Sequence, residues 1–246
     1  MFLHHTEFPI RKDRLMRFPF PFSLATIAVL ALTATAAEKA PALKKGEKIV
    51  FFGDSITEGG VGPKGYVTVV KNALTEKHKD LGIEIVGAGI SGNKVPDLQR
   101  RLEKDVLAKK PTIVVIYIGI NDIWHGESNP ANGTTKEKYE AGLKDIIGKI
   151  QDSGARVVLC TPTVIGENKA GTNKLDAKLD EYAEIGRKVA KETKSTPCDL
   201  RKAFQDYIVK NNADDKAQGI LTTDRVHLND AGNKLVAETI LKAIDK

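Results

Sequence analysis

The sequence predicts an α/β protein, a three-layer α/β/α sandwich around a five-stranded parallel sheet. From Lys48 onward, short β-branched runs alternate with longer amphipathic segments, the pattern of a parallel sheet covered by helices on both faces. The run from Thr112 to Ile118, TIVVIYI, is apolar on both faces, as a central buried strand requires. A chain of 246 residues with 41% hydrophobic content suits one sizeable core and would be crowded as two domains.

The first segment does not belong to that domain. Arg11, Lys12, Arg14 and Arg17 precede an apolar run from Phe18 to Leu32, followed by Ala34-Thr35-Ala36. That order is the layout of a secretory signal peptide over residues 1–37, with cleavage expected after Ala36 or Ala37. Translation from Met16 would leave a compact signal by itself. The run is shorter than the roughly 20 residues a spanning helix needs and carries Pro19 and Pro21, which disfavours a retained anchor. The mature protein is therefore expected to be secreted or periplasmic, with no stable membrane insertion. Residues 38–46 are expected to be a tether and residues 47–246 the domain.

Strands are expected from Lys48 to Phe52, Glu84 to Val86, Thr112 to Ile118, Arg156 to Cys160 and Thr196 to Leu200. Between them, Val95, Leu98, Leu102, Val106 and Leu107 mark one helical stripe, and Tyr139, Leu143, Ile146, Ile147 and Ile150 another. The second opens with Thr134-x-x-Glu137, read as a capping box, and ends near Gly154. Leu175, Leu179, Tyr182, Ile185 and Val189 mark a further helix, and Leu235, Val236, Thr239, Ile240 and Ala243 the last.

Loss of residues 1–37 would remove four basic side chains (Arg11, Lys12, Arg14, Arg17) and two acidic ones (Glu7, Asp13), lowering the net charge from +6 to +4. The remaining lysines are interspersed with acids on helical faces, which does not suggest a nucleic-acid surface. Cys160 and Cys198 are the only cysteines. Both lie in or beside strand-like runs, consistent with two buried thiols or with one disulfide. No Cys/His cluster has metal-ligand spacing.

In an open parallel sheet, ligands bind beyond the carboxyl ends of the strands. With the flavodoxin-like order 2-1-3-4-5, the first three exits are neighbours. They carry Gly53-Asp54-Ser55, then Gly89 with Ser91-Gly92-Asn93, then Gly119 with Asn121-Asp122. Ser55, at a strand-to-helix turn, is a candidate nucleophile, but a serine needs an adjacent base. Taken alone, Gly53-Asp54-Ser55 fits a strand end with a helix-capping serine as well. The segment TTDRVHLNDAG supplies the base, because a three-residue separation lets Asp224 fold back on His227 and leave its Nε2 facing a serine. His125 is a weaker candidate, with only Glu127 as a local carboxylate, and His78 is expected in solvent. The Gly53-Asp54-Ser55-Ile56-Thr57 context is not the G-x-S-x-G elbow of an α/β-hydrolase. Gly59 and Gly60 read as loop.

Four segments coincide with one pattern: FFGDSITEG (Phe51 to Gly59), GAGISGNKV (Gly87 to Val95), IGINDIW (Ile118 to Trp124) and DRVHLNDAG (Asp224 to Gly232). In that order they resemble the SGNH hydrolases, or GDSL esterases. The resemblance implies Ser55 as nucleophile, Asp224 and His227 as its partners, and an oxyanion hole from the Ser55 N–H, Gly92 and Asn121. It implies a carboxylic ester hydrolase working through an acyl-enzyme, with no metal or organic cofactor. Asp54 is expected to organise the turn around Ser55. Gly87 stands where many members carry Asn, which places the bracing of the second block in question.

The substrate is expected to be a small or carbohydrate-linked ester, since no long apolar insertion resembles a lid. Trp124, the only tryptophan, is placed either to stack on a sugar ring or to pack beneath its loop. A lysophospholipase or thioesterase would instead require an apolar groove near Val61, Trp124 and Val164. A non-catalytic carbohydrate-binding relative is the remaining alternative.

Overall fold

The computed structural model describes residues 1–4 and 42–245. Most of the expected signal peptide and the start of the tether, residues 5–41, lie outside the described residues. The domain's packing reaches back to Leu43, which is buried against the core, and the Gly46 N–H donates to the Leu81 carbonyl.

Five parallel strands form one sheet: β1 (Lys48–Gly53), β2 (Glu84–Gly89), β3 (Ile113–Tyr117), β4 (Arg156–Cys160) and β5 (Thr196–Cys198), in the order β2-β1-β3-β4-β5. This is the expected order. Every residue of β3 is buried, and each such side chain removed from water contributes about 1.5–3 kcal/mol before chain entropy is counted. β5 is shorter than expected because Leu200 already opens a helix, and Pro197 suits an edge strand, where no further ladder bond is required.

Eight α-helices are seen among the described residues: α1 (Ser55–Gly60), α2 (Tyr66–Lys77), α3 (Val95–Asp105), α4 (Ile120–Trp124), α5 (Lys136–Asp152), α6 (Asp176–Glu192), α7 (Leu200–Asn211) and α8 (Asp230–Ile244). The cap of α5 is Thr135, whose hydroxyl accepts from the Lys138 N–H, one residue beyond the expected Thr134. Gly59 and Gly60 are the last turn of α1, not loop; Gly60 has the Tyr66 ring directly against it and leaves no room for a side chain. His78 is not free in solvent, because its Nε2 lies 2.8 Å from Asp245 Oδ2 and its side chain is largely covered.

The strand register positions the site. Gly53, the last residue of β1, is level with Gly89 at the end of β2 and Tyr117 at the end of β3. Three chain segments therefore leave the sheet side by side and in one row. On the far side, Cys160 and Cys198 are register partners on β4 and β5, and both are buried free thiols. Of the two readings left open, the described structure has the thiols.

Candidate active site

Asp54 caps α1: its Oδ1 accepts the Ile56 N–H at 3.0 Å, and its carbonyl accepts from Thr57 and Glu58. This fixes Ser55 as the first helical residue, with its hydroxyl at the rim of the sheet. Burial, at 2% exposure, is the main reason the Asp54 carboxyl is pushed up to about 7. Asp122, also buried, is raised to about 6 for the same first reason. Both its oxygens face the Val95 N–H at 3.1 and 3.3 Å, tying the start of α3 to α4.

The imidazole that lies against Ser55 comes from the other end of the chain. His227 Nε2 lies 2.9 Å from Ser55 Oγ, and His227 Nδ1 lies 2.7 Å from Asp224 Oδ2. Asp224 Oδ1 also accepts the N–H groups of Val226 and His227 at 3.1 and 2.7 Å. Partial burial raises the Asp224 pKa, but these bonds outweigh it and hold the carboxyl below its ordinary value. The ring that reaches Ser55 is thus His227. His125 caps the end of α4, and Glu127 pairs with Lys174 at 2.8 Å.

The loop carrying Asp224 and His227 has its own brace, which sequence reasoning missed. Glu167, fully buried, accepts the N–H groups of Ile220, Leu221 and Thr222 at 2.8, 2.6 and 2.6 Å. Its only trace in the sequence is a charge following the apolar run that leaves β4. Thr223 N–H then bonds to the His227 carbonyl, closing the turn, and Arg225 within it adopts φ +81°, a left-handed conformation uncommon outside glycine.

Opposite this loop stand the second and third strand exits. Gly92 has φ +75°, a conformation glycine adopts without steric cost, and a side chain there would come within 3.9 Å of the His125 ring. The Asn121 side-chain amide donates to the Asn93 carbonyl at 3.1 Å, leaving its second N–H free to point elsewhere. Among the described residues, neither the Ser55 nor the Gly92 N–H has an acceptor. Gly87 is explained by its neighbour: Val61 Cγ1 occupies the place a side chain would take. The loop does not lack bracing, because Glu58 accepts from the Ser91 N–H at 2.9 Å and from its hydroxyl.

Trp124 is 37% exposed and lines a cavity of about 200 Å³ with Glu127, Ile165, Lys174, Asp224 and Arg225. It therefore faces a space beside the Asp224 loop instead of filling it. Val164 is buried and borders a different cavity, with Asp176 and Arg201, while Val61 sits on the surface over Gly87. Among the described residues, no group of three or more His, Cys, Asp or Glu side chains is placed to hold a metal ion.

The GDSL-like Lipase/Acylhydrolase family model matches residues 51–235. An acetylxylan esterase of Geobacillus stearothermophilus is 34% identical over 213 residues, covering 81% of this chain and 94% of that protein. An isoamyl acetate-hydrolyzing esterase 1 homolog of Rattus norvegicus is 25% identical, covering 81% and 82%. The crystal structure of an acetyl xylan esterase superposes with TM-score 0.77 at 45% identity, covering 80% of this chain and 99% of that one. Structures of the Geobacillus enzyme described as catalytic mutants have a serine, an aspartate and a histidine each replaced by alanine, with TM-scores of 0.73 to 0.74. The match spans all four sequence blocks and the sheet that aligns them: the chain belongs to the GDSL-like lipase/acylhydrolase family, the SGNH hydrolases, and is a carboxylic ester hydrolase.

Proposed function

We propose that the protein is an exported serine esterase that removes acetyl groups from carbohydrate by a two-step acyl transfer. The observation that carries the mechanism is the continuous contact from Ser55 Oγ through the His227 ring to Asp224. His227 Nε2 takes the Ser55 proton as Oγ attacks the ester carbonyl, while Asp224 holds the Nδ1–H and stabilises the imidazolium. Negative charge moves to the carbonyl oxygen, where the Ser55 N–H, the Gly92 N–H and the free Asn121 amide N–H converge as donors. As the intermediate collapses and the C–O bond to the sugar breaks, His227 gives its proton to the leaving sugar oxygen, which departs as a hydroxyl. Water, deprotonated by His227, repeats the attack on the acetyl-enzyme and frees acetate and Ser55. The named catalytic mutants of the Geobacillus enzyme support a Ser, His and Asp set, and the Trp124 cavity gives a sugar ring a surface beside it.

The acetyl preference draws on the acetylxylan esterases the chain resembles, and on the separation of Val61, Trp124 and Val164, which do not line one acyl groove. A panel of acetylated xylo-oligosaccharides beside nitrophenyl esters of increasing chain length tests it. Efficient deacetylation of the oligosaccharides is expected, with kcat/KM falling at least about tenfold from acetate to octanoate. A rise along that series with intact acetyl-xylan would instead establish the lysophospholipase or thioesterase reading. Export rests on the basic residues, apolar run and Ala34-Thr35-Ala36 of the leader. An extracytoplasmic form beginning at Ala37 or Glu38 is expected from amino-terminal mass mapping, and an uncleaved chain would contradict it.

A further inference from the structure

Beside the proposed catalytic groups lies a largely covered guanidinium to which the acyl-transfer scheme gives no task. Arg101 lies on α3, and its side chain is only 12% exposed. Its Nε donates to Asn93 Oδ1 at 2.7 Å, Nη1 to the Ala88 carbonyl at 3.0 Å and to Asp105 Oδ2 at 3.0 Å, and Nη2 to the Gly53 carbonyl at 2.6 Å. The guanidinium also lies 4.5 Å from the centre of the Phe52 ring. One rigid, planar group thus touches the end of β1, the end of β2 and the loop that follows β2.

Those contacts converge on the proposed oxyanion donors. Gly53 is separated from Ser55 only by the capping Asp54. Asn93 follows Gly92, and its carbonyl is the group that orients the Asn121 amide. The Ser91-Gly92-Asn93 turn is therefore pinned at both ends, by Glu58 at Ser91 and by Arg101 at Asn93. Gly92 itself, the residue with the fewest conformational limits, lies between the pins. Asp105 balances the Arg101 charge, and four of the five Arg101 N–H donors are used within the protein.

We propose that Arg101 is a positioning residue for ester hydrolysis: it holds the Ser55 and Gly92 N–H groups and, through Asn93, the Asn121 amide, in one fixed oxyanion hole. This rests on the acyl-transfer reading above. Donors aimed in advance act on charge that develops only in the transition state, so their misalignment lowers kcat and leaves ground-state binding little changed.

The test is a cycle of Arg101→Met, Asn121→Ala and the double variant, assayed on an acetyl ester, with Ser55→Ala as the control. Arg101→Met is expected to lower kcat about 10- to 100-fold with KM within about threefold of wild type. In the Asn121→Ala background the same change is expected to cost less than about threefold, because the hole it serves is already broken. Arg101→Lys, which keeps the charge and one or two of the bonds, is expected to fall between, and it carries the test if the Met variant does not fold. A kcat within threefold of wild type in the Met and Lys variants overturns the proposal. So does a loss of equal size in both backgrounds, which is what a general loss of structure gives. If Ser55→Ala keeps full activity, it is the acyl-transfer reading that fails. If Ser55→Ala and Asn121→Ala lose activity and Arg101→Met does not, only the role of Arg101 fails.

Discussion

Asp54 is the residue on which the local structure of the site turns, and it is held at a cost. Burial is the largest influence on its carboxyl; the Ile56 N–H opposes it and Asp122 adds to it, with a folded value of about 7 against an ordinary 3.8. Between about pH 4 and pH 7 the folded protein keeps a proton that the unfolded chain has lost. Stability from this group is therefore greatest below about pH 4 and falls as pH rises to about 7. Asn at this position keeps an acceptor for the Ile56 N–H and cannot ionise. Asp54→Asn is expected to gain stability relative to wild type as pH rises across that window, by up to a few kcal/mol. Urea unfolding at three pH values checks this. A difference that does not vary with pH, or that shrinks as pH rises, would contradict it. Asp122 titrates with the same sign near pH 6, and because its charge also raises Asp54 the comparison reads the loss of Asp54 together with its coupling to Asp122.

Among the elements, four helices were legible from their period; α2 was missed although Tyr66, Val67, Val70 and Leu74 bury one face at helical spacing, and α1, α4 and α7 were missed for shortness or an interruption. The stripes of α3, α5, α6 and α8 alternate apolar and polar residues at helical spacing, and the helices stand where the stripes fall, except that α3 ends before Val106 and Leu107 and α6 begins after Leu175. α7 was hidden because its buried positions are Leu200, Arg201, Phe204 and Ile208, and a buried arginine reads as surface. That arginine is satisfied only by distant groups: Asp176, Asp180 and the Thr163 carbonyl. α1 was hidden by its two glycines, which read as loop until Asp54 is seen as its cap. At Gly87, sequence alone raised a doubt that β2 resolves, since Val61 fills the space. Gly87→Asn is expected to destabilise the fold by about 1–3 kcal/mol through overpacking. Combining it with Val61→Ala should recover much of that loss in thermal or denaturant unfolding. Equal stability of Gly87→Asn and wild type would rule this out.

Across the whole molecule, the sheet brings together residues that are far apart in sequence. The order β2-β1-β3 and the register that levels Gly53, Gly89 and Tyr117 place three short loops in one row. The final loop, between α7 and α8, then reaches back 172 residues to Ser55. The residues in contact at the centre were legible because each lies in a short motif with its own spacing. Arg101 and Glu167 were not, because the contacts of the Glu167 carboxylate and half of those of Arg101 are hydrogen bonds to backbone groups distant in sequence, and no local pattern records such a bond. What fixes the site is therefore less visible in the sequence than what fills it. The central claim, that Ser55 is the nucleophile, is tested most directly by treating the protein with a serine-directed fluorophosphonate and locating the adduct by peptide mass spectrometry. One adduct per chain on Ser55, absent in Ser55→Ala and slowed in Asn121→Ala, is the predicted result; an adduct on another residue, or equal labelling of Ser55→Ala, would contradict it.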